Sequence, residues 1–425
     1  MRYLKRQGLK WIKSISEQCL EDKDMIKANF VTAREAAAMV KDGDTVCTVG
    51  MTLVSASESI LKALEKDFIE TGHPCGMTLL HSCGQSDRKD GIQHFAHEGM
   101  IKRIIGSHWG LQPRWMEMIA GNQVEAYCLP QGQIAQLYHS MACGLPGKMS
   151  KVGLGTFIDP RYEGGKMNDR TKPLEDIIDI MEYRGEEYMF YREIPIDVCI
   201  IRGTVCDEMG NLTTTEEAMK LEVLPAVLAA KRYGGKVIAQ VKHVAQTGTL
   251  NPKDVTVPGV FIDAIVVCDN PWEDHRQTSS WYFDPSYCGQ LRVPQGNIEP
   301  ALFNERKFIA RRGTMELYPG AVINLGTGIP NDMVGKVCNE ERVSEDVMIT
   351  VESGIYGGVQ AGGIDFGIGQ NLYAMIGHHE QMDYYNGAGV DITYMGLGEL
   401  DEMGNVNSTK MGPRCTGAVS YTHLR

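Results

Sequence analysis

The stretch Thr45-Val-Cys-Thr-Val-Gly50, followed by Ser55-Ala-Ser-Glu58, decides the fold class of this 425-residue chain. Five apolar or β-branched residues predict a buried strand that ends at the glycine, and Ser55 to Glu58 has the spacing of a capping box that begins a helix. Upstream, Thr32-Ala-Arg-Glu35 has the same spacing and predicts a helix over 33–40 that ends before Gly43. Strand, glycine turn and helix form the unit of open α/β sheets, so the sequence predicts an α/β fold.

The same order of elements returns late in the chain. Ala321-Val-Ile-Asn-Leu325 predicts a second buried strand, Gly326-Thr-Gly-Ile-Pro330 a glycine turn, and the residues to Val337 a helix. In addition, Asp207-Glu-Met-Gly-Asn211 recurs unchanged as Asp401-Glu-Met-Gly-Asn405, a composition typical of a tight turn rather than of a metal site. Because two landmarks occur twice in the same order, we predict two related open α/β domains.

The polar, aromatic and proline-containing stretch 270–300 is the best candidate for a connection between these domains. We therefore expect an N-terminal extension over 1–29, a first α/β domain over 30–297, a second α/β domain over 298–418 and a tail over 419–425.

Composition excludes several classes of protein. The net charge is −12 at pH 7, and no basic face that would bind nucleic acid is indicated. No apolar run approaches the roughly 18 residues of a membrane span, so we expect no membrane contact. The basic stretch 1–16 lacks the continuous apolar segment and cleavage signal of a targeting peptide, so we expect a cytoplasmic protein. Glycine is the outlier, with 47 residues, about 11% against a usual value of about 7%, and its concentration in short motifs indicates backbone that lies close to a ligand.

Cysteines and histidines do not predict a metal site. Twelve cysteines occur without any CxxC pair, and those in apolar stretches (Cys47, Cys199 and Cys268) are expected to be buried, reduced thiols. His94 and His97 lie three residues apart, but the sequence places no further ligand beside them. We therefore predict no metal.

The most informative segment for chemistry is Val347-Met-Ile-Thr-Val351, followed by Glu352-Ser-Gly-Ile-Tyr-Gly-Gly358. An apolar strand here leads straight into a carboxylate and a glycine turn. An ionised carboxylate is costly to bury, and a rigidly held one with small neighbours can act as a nucleophile. The residue types alone leave a second interpretation open, in which Glu352 is exposed at the start of a loop and paired with an arginine.

The segment that begins at Glu352 resembles the active-site strand of the type I coenzyme A transferases. Its continuation, Gly357-Gly-Val-Gln-Ala-Gly-Gly-Ile-Asp-Phe-Gly367, resembles the acetate/propionate CoA-transferase subgroup. The resemblance extends over roughly 30–418 and implies two α/β domains of the CoA-transferase fold, which is related to that of the ribose-phosphate isomerases. Further matching motifs are Leu129–Gly132, Lys151–Phe157, Asp159–Arg161, Gly164–Asn168, Gly326–Pro330, Gly404–Asn407 and Gly412–Arg414.

The resemblance implies a reaction and its residues. CoA would move between a short-chain acyl-CoA and a free carboxylate (acetate, propionate, butyrate or a 3-ketoacid) by a ping-pong mechanism with a glutamyl-CoA thioester on Glu352. Gln131 and Gly354 would contact the substrate and its oxyanion. No metal and no permanently bound cofactor is implied, CoA being a substrate and part of the covalent intermediate, and the protein is expected to form a homo-oligomer. The implied CoA-binding residues are Gly326, Thr327, Gly328, Ile329, Pro330, Gly362 and Gly363.

Alternatives remain for each part of this interpretation. The Gly326 loop is also compatible with a purely structural strand-to-helix turn, and Gln131 with a turn residue, whereas a dinucleotide-binding GxGxxG pattern fails at Asn331. The same scaffold would serve an acyl-CoA hydrolase or a non-catalytic CoA-binding or assembly subunit. No motif resembles a sugar-phosphate isomerase.

The sequence departs from the family at its end. After Gly412-Pro-Arg414 the family continues through a glycine-rich stretch, whereas Val419-Ser-Tyr-Thr-His-Leu-Arg425 has no counterpart in it. We therefore expect an incomplete second domain and a non-native tail.

Overall fold

The computed structural model describes residues 27–412 and 414–417. The expected tail over 419–425 and most of the expected N-terminal extension lie outside these residues. The α-helices are Ala33–Ala37, Glu58–Thr71, Pro113–Ala120, Gln131–Ala142, Val223–Arg232, Pro271–Asp274, Glu305–Thr314, Gly335–Glu340 and His378–Gly387. Short 3₁₀ or π turns cover Gly91–Phe95, Gly259–Phe261, Gln295–Asn297, Pro330–Val334, Val343–Glu345 and Gly363–Asp365.

Seven parallel strands form the first sheet. Thr45–Thr48, the strand predicted from the opening motif, lies in its centre and pairs with Met77–His81 on one side and Val198–Arg202 on the other. The sheet is thus wound in both directions from its first strand, which is the arrangement that opens a crevice at the carboxyl ends of the central strands. The spatial order is Ala264–Val267, Lys236–Val241, Val198–Arg202, Thr45–Thr48, Met77–His81, Ile101–Gly106 and Glu125–Cys128.

The second sheet has a parallel centre and antiparallel flanks. Val322–Leu325 pairs in parallel with both Met348–Val351 and Ile392–Tyr394. Beyond Met348–Val351, the short strands Ile355–Tyr356 and Ala374–Met375 run antiparallel. The strands predicted over 321–325 and 347–351 are confirmed, and each leads into its glycine turn at the carboxyl end.

Several smaller sheets accompany the two main sheets. They comprise His243–Ala245, Val205–Asp207, Leu212–Thr213 and Val255–Val257 in one sheet; Gly147–Ser150, Glu186–Arg192 and Ile178–Tyr183 in another; and the pairs Val359–Gln360 with Gly369–Gln370, Glu399–Leu400 with Val406–Asn407, and Lys410–Met411 with Arg414–Cys415.

The two identical five-residue motifs form identical turns. In the first, the Asp207 carboxylate accepts hydrogen bonds from the backbone N–H of Met209 and Asn211, and Asp401 makes the same bonds to Met403 and Asn405. Each turn joins two short antiparallel strands. The turn prediction is therefore confirmed, and the two carboxylates stabilise the turns by accepting hydrogen bonds from backbone N–H groups.

Two helix predictions need correction. The capping box at Thr32 and Glu35 is present, but its helix ends at Ala37 rather than at residue 40. The capping box at Ser55 and Glu58 is wrong. The helix begins at Glu58, Ser55 has a left-handed backbone (φ 62°) with its hydroxyl donating to Glu217, and the Glu58 carboxylate accepts from the N–H of Gly91. Both side chains instead form hydrogen bonds with residues that are distant along the chain.

The carboxyl edges of the two sheets face each other. Gly367, which follows the second sheet's central strands, packs so closely on Met51 and Met219 of the first part of the chain that a Cβ there would lie 3.0 Å and 2.6 Å from their side chains. The helix His378–Gly387 packs against the helix Gln131–Ala142, where Gln136 donates to Asp383. Within the described residues, no helix is long and apolar enough to cross a membrane.

A buried ion pair supports the first sheet at this edge. Arg202 donates to both carboxylate oxygens of Glu217 at 3.1 Å and 2.6 Å and also to the carbonyl of Ala56, and both charged side chains are almost fully buried. Burial alone would raise the pKa of Glu217, but the charge and the hydrogen bonds of Arg202 outweigh it and hold this pKa far below its usual range.

Replacing Arg202 by methionine leaves the Glu217 carboxylate buried without its partner. We expect Arg202→Met to lower the free energy of unfolding by about 3–5 kcal/mol. The matched control is Arg192→Met, which removes the exposed pair between Arg192 and Asp179 and should cost less than about 1 kcal/mol. Urea unfolding of both variants measures the difference, and equal effects would contradict the role given to the buried pair.

Candidate active site

Glu352 lies at the carboxyl end of the strand Met348–Val351 and is only 3% exposed. It nevertheless lines a pocket of about 300 Å³, together with Gly326 and Thr327 from the neighbouring strand end. Because parallel strands present their carboxyl ends at one edge, the two motifs singled out in the sequence meet here. The interpretation of Glu352 as an exposed loop residue is therefore wrong.

The backbone after Glu352 is fixed by close packing. Gly354 has φ 96°, a Cβ there would collide with the carbonyl oxygen of Ile376, and its N–H donates to the carbonyl of Val351 at 3.0 Å. The hydroxyl of Ser353 donates to the carbonyl of Gly367 at 2.6 Å. These contacts fix the backbone that carries the carboxylate. They also engage the Gly354 N–H in the turn, so that its predicted role as an oxyanion donor gains no support from this geometry.

The strand beneath the carboxylate carries a buried polar network. The Tyr385 hydroxyl donates to the Asn324 side chain at 2.7 Å and lies 2.8 Å from the Thr350 hydroxyl. Burial raises the pKa of Tyr385, and the nearby negative charge of Glu352 raises it further. Tyr385 therefore stays neutral at physiological pH.

The two predicted CoA-binding glycine motifs lie against each other. The N–H of Gly363 donates to the Asp332 carboxylate at 2.9 Å, and the amide of Asn331 donates to the carbonyl of Ala361. Gly328 has φ 95° with open space where a Cβ would stand, so the loop 326–330 leaves room beside its backbone. Asn331, which breaks the dinucleotide pattern, thus ties the two motifs together.

The first sheet contributes His108 to the pocket. This residue follows the carboxyl end of Ile101–Gly106, and its ring fits between Gly84 and Gly110, where added Cβ atoms would lie 2.8 Å and 2.6 Å from the imidazole. Burial lowers the pKa of His108 to about 4, so the ring is neutral at pH 7. No motif in the sequence marked His108, because Gly84, which makes room for its ring, lies far from it along the chain.

Other lining residues come from the last described segments. The N–H of Trp109 donates to the carbonyl of Thr416 at 2.7 Å, and Gly417 forms an antiparallel β-bridge with His108. Of these lining residues, Ser408 and Met411 lie within the late family signature from Gly404 to Arg414, whereas no sequence motif pointed to the others. The pocket is completed by Met395, Gly396, Leu397, Gly398, Ser408, Met411, Thr416 and Gly417.

Gln131 lies in a buried network that spans the two parts of the chain. Among the described residues, those lining the pocket do not include it. Its amide nitrogen lies 3.0 Å from Nε2 of His378, whose Nδ1 lies 2.8 Å from Glu222, and Glu222 also accepts from the hydroxyl of Ser82. Gln131, Glu222 and His378 are all at most 2% exposed. Gln131 is therefore a buried interface residue, and the turn interpretation is wrong, because it opens the helix Gln131–Ala142.

The His378–Glu222 contact is an ion pair. Burial alone would lower the pKa of His378, but its contacts with Cys83 and Glu222 raise this pKa well above 6.5, while the contacts of Glu222 with His378 lower the pKa of the carboxyl below 4.5. When His378 is protonated, its Nε2–H must donate. The amide of Gln131 then presents its oxygen to the ring, which leaves the NH₂ group to donate elsewhere.

The structure brings carboxylates from elsewhere in the chain beside His94 and His97. Nδ1 of His94 lies 2.5 Å from Glu65 and Nε2 lies 3.0 Å from Glu58, and His97 also contacts Glu65 at 2.6 Å. Residues that are distant in sequence supply these carboxylates. Burial lowers the pKa of His94, but the two carboxylates outweigh burial and raise it, which favours a structural ion network.

Residues 30–268 match the model of the coenzyme A transferase family. Over 406 residues, the chain is 39% identical to caffeate CoA-transferase from Acetobacterium woodii, covering 93% of this chain and 76% of that protein. Over 399 residues, it is 35% identical to acetate CoA-transferase YdiF from Escherichia coli strain K12, covering 93% and 73%. The chain therefore belongs to the coenzyme A transferase family, as its motifs predict.

Solved structures agree. The apoenzyme crystal structure of acyl-CoA transferase YdiF from Escherichia coli O157:H7 matches with a TM-score of 0.85 at 32% identity, over 94% of this chain and 74% of that one. The YdiF thioester complex with CoA matches with a TM-score of 0.84. The α/β fold of the CoA-transferases is confirmed, and CoA is the substrate that this family uses.

The His378–Glu222 pair predicts a pH dependence of stability. His378 has a raised pKa in the folded state, so its contribution is complete below pH 6.5 and is lost as the pH rises through the raised value; Glu222 has a lowered pKa, so its contribution is lost in acid. We expect His378→Gln to be less stable than the parent near about pH 6, with a smaller difference near about pH 9.

Urea unfolding at both pH values measures this effect. The control is His243→Gln, since His243 is exposed and its replacement should change little at either pH. A destabilisation by His378→Gln that is independent of pH would show that the histidine is neutral in the folded protein.

Proposed function

We propose that the protein transfers CoA between an acyl-CoA and a free carboxylate, with Glu352 as the nucleophile. The observation that carries this proposal is the placement of a nearly buried carboxylate in the wall of a pocket that it shares with Gly326 and Thr327. Glutamate is ionised at neutral pH, so it needs no base to become nucleophilic. The contacts of Ser353 and Gly354 fix the backbone that carries it, which limits the positions open to the side chain and lowers the entropic cost of attack.

The reaction would proceed through four acyl transfers. A carboxylate oxygen of Glu352 attacks the thioester carbonyl and expels CoA thiolate, which gives an acyl-glutamyl anhydride. The thiolate attacks the glutamyl carbonyl of this anhydride, releasing the first acid and leaving a glutamyl-CoA thioester. The carboxylate of the second acid attacks the glutamyl carbonyl of that thioester and expels CoA thiolate, which gives a new acyl-glutamyl anhydride. The thiolate then attacks the acyl carbonyl of this anhydride, forming the new acyl-CoA and restoring Glu352. No step consumes an external proton.

The remaining site residues have supporting roles in this proposal. We assign CoA binding to the loop Gly326–Pro330, whose first two residues line the pocket with Glu352, and to Gly362 and Gly363, which lie against Asp332 just after that loop. Remote contacts with CoA would supply the binding energy that a small acyl group lacks. The neutral His108 would bound the site from the first sheet, and Gln131 would support it from the buried interface network rather than from the pocket wall. The division at residue 297, a homo-oligomeric state and a cytoplasmic location are proposed from the family resemblance.

The preferred acyl group is proposed to be short. A pocket of about 300 Å³ must hold the reacting ends of both substrates, which favours acetate, propionate or butyrate. A second candidate is an aromatic acid, because one relative is a caffeate CoA-transferase and three apolar side chains, Met395, Leu397 and Met411, line the pocket.

Incubation with acetyl-CoA in the absence of an acceptor acid tests the nucleophile. We expect intact-mass spectrometry to show a CoA-sized adduct on the parent protein that disappears when acetate is added. Glu352→Gln should show no adduct and a loss of turnover of at least about 1,000-fold, because the nucleophile is gone. The matched control, Glu182→Gln, changes an exposed glutamate on a hairpin and should behave like the parent.

Other outcomes of the same experiment identify the alternatives. Steady consumption of acetyl-CoA without an acceptor and without an adduct would indicate a hydrolase. An adduct that persists in Glu352→Gln would refute the assignment of the nucleophile. Binding of CoA with neither adduct nor turnover would indicate a non-catalytic subunit.

A comparison of acceptor acids tests the acyl preference. We expect kcat/KM for acetate, propionate and butyrate to exceed that for caffeate, with neighbouring chain lengths differing by about 10–200-fold at most per methylene. Leu397→Trp should lower kcat/KM for the longer acids more than for acetate, because it fills the pocket. The opposite order, with caffeate preferred in the parent, would favour the aromatic candidate.

A further inference from the structure

Three side chains with metal-binding atoms meet at the amino edge of the first sheet. Asp42 precedes the strand Thr45–Thr48, and His73 and Cys75 precede Met77–His81. Nδ1 of His73 lies 2.8 Å from a carboxylate oxygen of Asp42 and 4.0 Å from the sulfur of Cys75, and all three atoms lie within 4.8 Å of one another.

Backbone contacts hold the two loops in place. The N–H of Cys75 donates to the Asp42 carboxylate at 2.8 Å, and the N–H of Gly43 donates to the Cys75 carbonyl at 2.9 Å. The N–H of His73 donates to the hydroxyl of Thr71 at 3.1 Å. The donor atoms therefore come from a cross-linked pair of loops rather than from free chain.

We propose that Asp42, His73 and Cys75 bind one divalent transition-metal ion, with Zn²⁺ as the preferred ion. A carboxylate oxygen, an imidazole nitrogen and a thiolate form a donor set suited to Zn²⁺, whereas Mg²⁺ and Ca²⁺ require oxygen ligands. The three atoms belong to different chemical classes and converge on one point. The CoA-transferase reaction uses none of them.

The distances are close to those of a tetrahedral site. Ligand bond lengths to zinc place a sulfur and a nitrogen about 3.6 Å apart, and a nitrogen and an oxygen about 3.3 Å apart. The observed separations of 4.0 Å and 2.8 Å each need a shift of about half an ångström. Asp42 and His73 are exposed and Cys75 is half-buried, so their side chains can make this shift without disturbing the core.

The site has an open fourth position. An adjoining groove of about 410 Å³, lined by Arg34, Lys41 and Thr71 among others, gives access to a water molecule or a small anion. On binding, the Cys75 thiol loses its proton to solvent and forms the metal–sulfur bond as a thiolate, and the metal replaces the contact between Asp42 and His73.

The position of the site indicates its role. Both strands begin at this edge and run toward the carboxyl edge that bears the pocket of Glu352, so the proposed metal lies at the opposite end of the sheet. Its binding would stabilise the two loops and the folded state, without entering the transfer reaction. The site stands independently of the proposed function.

Titration of the full chain with Co²⁺, a spectroscopic substitute for Zn²⁺, tests the proposal. We expect a sulfur-to-cobalt charge-transfer band that saturates at one ion per chain and is bleached by Zn²⁺. Cys75→Ala should abolish the band, and Asp42→Asn, which keeps an oxygen to accept from the Cys75 N–H, should weaken binding at least about tenfold. The matched control is Cys143→Ala. It removes an exposed cysteine whose sulfur lies 3.8 Å from His139 but which, among the described residues, belongs to no cluster that includes a carboxylate.

A second measurement does not depend on the spectrum. Zn²⁺ should protect Cys75, but not Cys143, from alkylation, as measured by peptide mass mapping. A missing band in the parent, a band unchanged in Cys75→Ala, or alkylation of Cys75 that is unaffected by Zn²⁺ would overturn the proposal. In the second case the ion would be bound adventitiously elsewhere.

Discussion

The buried contact between Glu222 and His378 is the interaction on which the arrangement of the two sheets depends. Glu222 precedes a helix of the first part of the chain, and His378 begins a helix of the second. Two charges that are both 0% exposed can be buried only if each compensates the other, so separating the sheets would leave both uncompensated. The pair therefore favours one relative placement of the two carboxyl edges, and the pocket between them is a consequence of it.

Because the two carboxyl edges face each other, the residues of the candidate site lie close together between them. At this edge the strand Met348–Val351 delivers Glu352, its neighbour delivers Gly326, and the strand Ile101–Gly106 of the other sheet leads to His108. Each side chain sits on the first residues of a loop, anchored by a strand that cannot move without disturbing the core. These three segments of the site each have a rigid base.

The frame was predictable because it depends on local signals. The strands at Thr45, Val322 and Met348 follow from short apolar runs that end in a glycine or a glutamate. The repeated Asp-Glu-Met-Gly-Asn motif forms the same turn twice because its hydrogen bonds lie within five residues. Ser55 shows the limit of such signals. Its spacing to Glu58 fits a capping box, yet Ser55 donates to Glu217 and Glu58 accepts from Gly91, both far along the chain.

The site was predictable only in part, for the same physical reason. Glu352 and the Gly326 loop stand out because a carboxylate or a glycine cluster at a strand end is unusual in itself. His108 has no such local mark; it becomes a pocket residue only because Gly84 and Gly110 make space for its ring. The partners of Gln131 and His94 are likewise set by tertiary packing, and a single sequence carries no record of which distant carboxylate will face which imidazole.

The polar groups at the two edges of the first sheet differ in their exposure. At the carboxyl edge the polar groups are buried and joined across the interface, so a change in any one of them alters the geometry of the pocket. At the amino edge Asp42 and His73 remain exposed, so they can change partners at small cost. A ligand at the amino edge can therefore act on stability, whereas a change at the carboxyl edge would disturb the surroundings of Glu352.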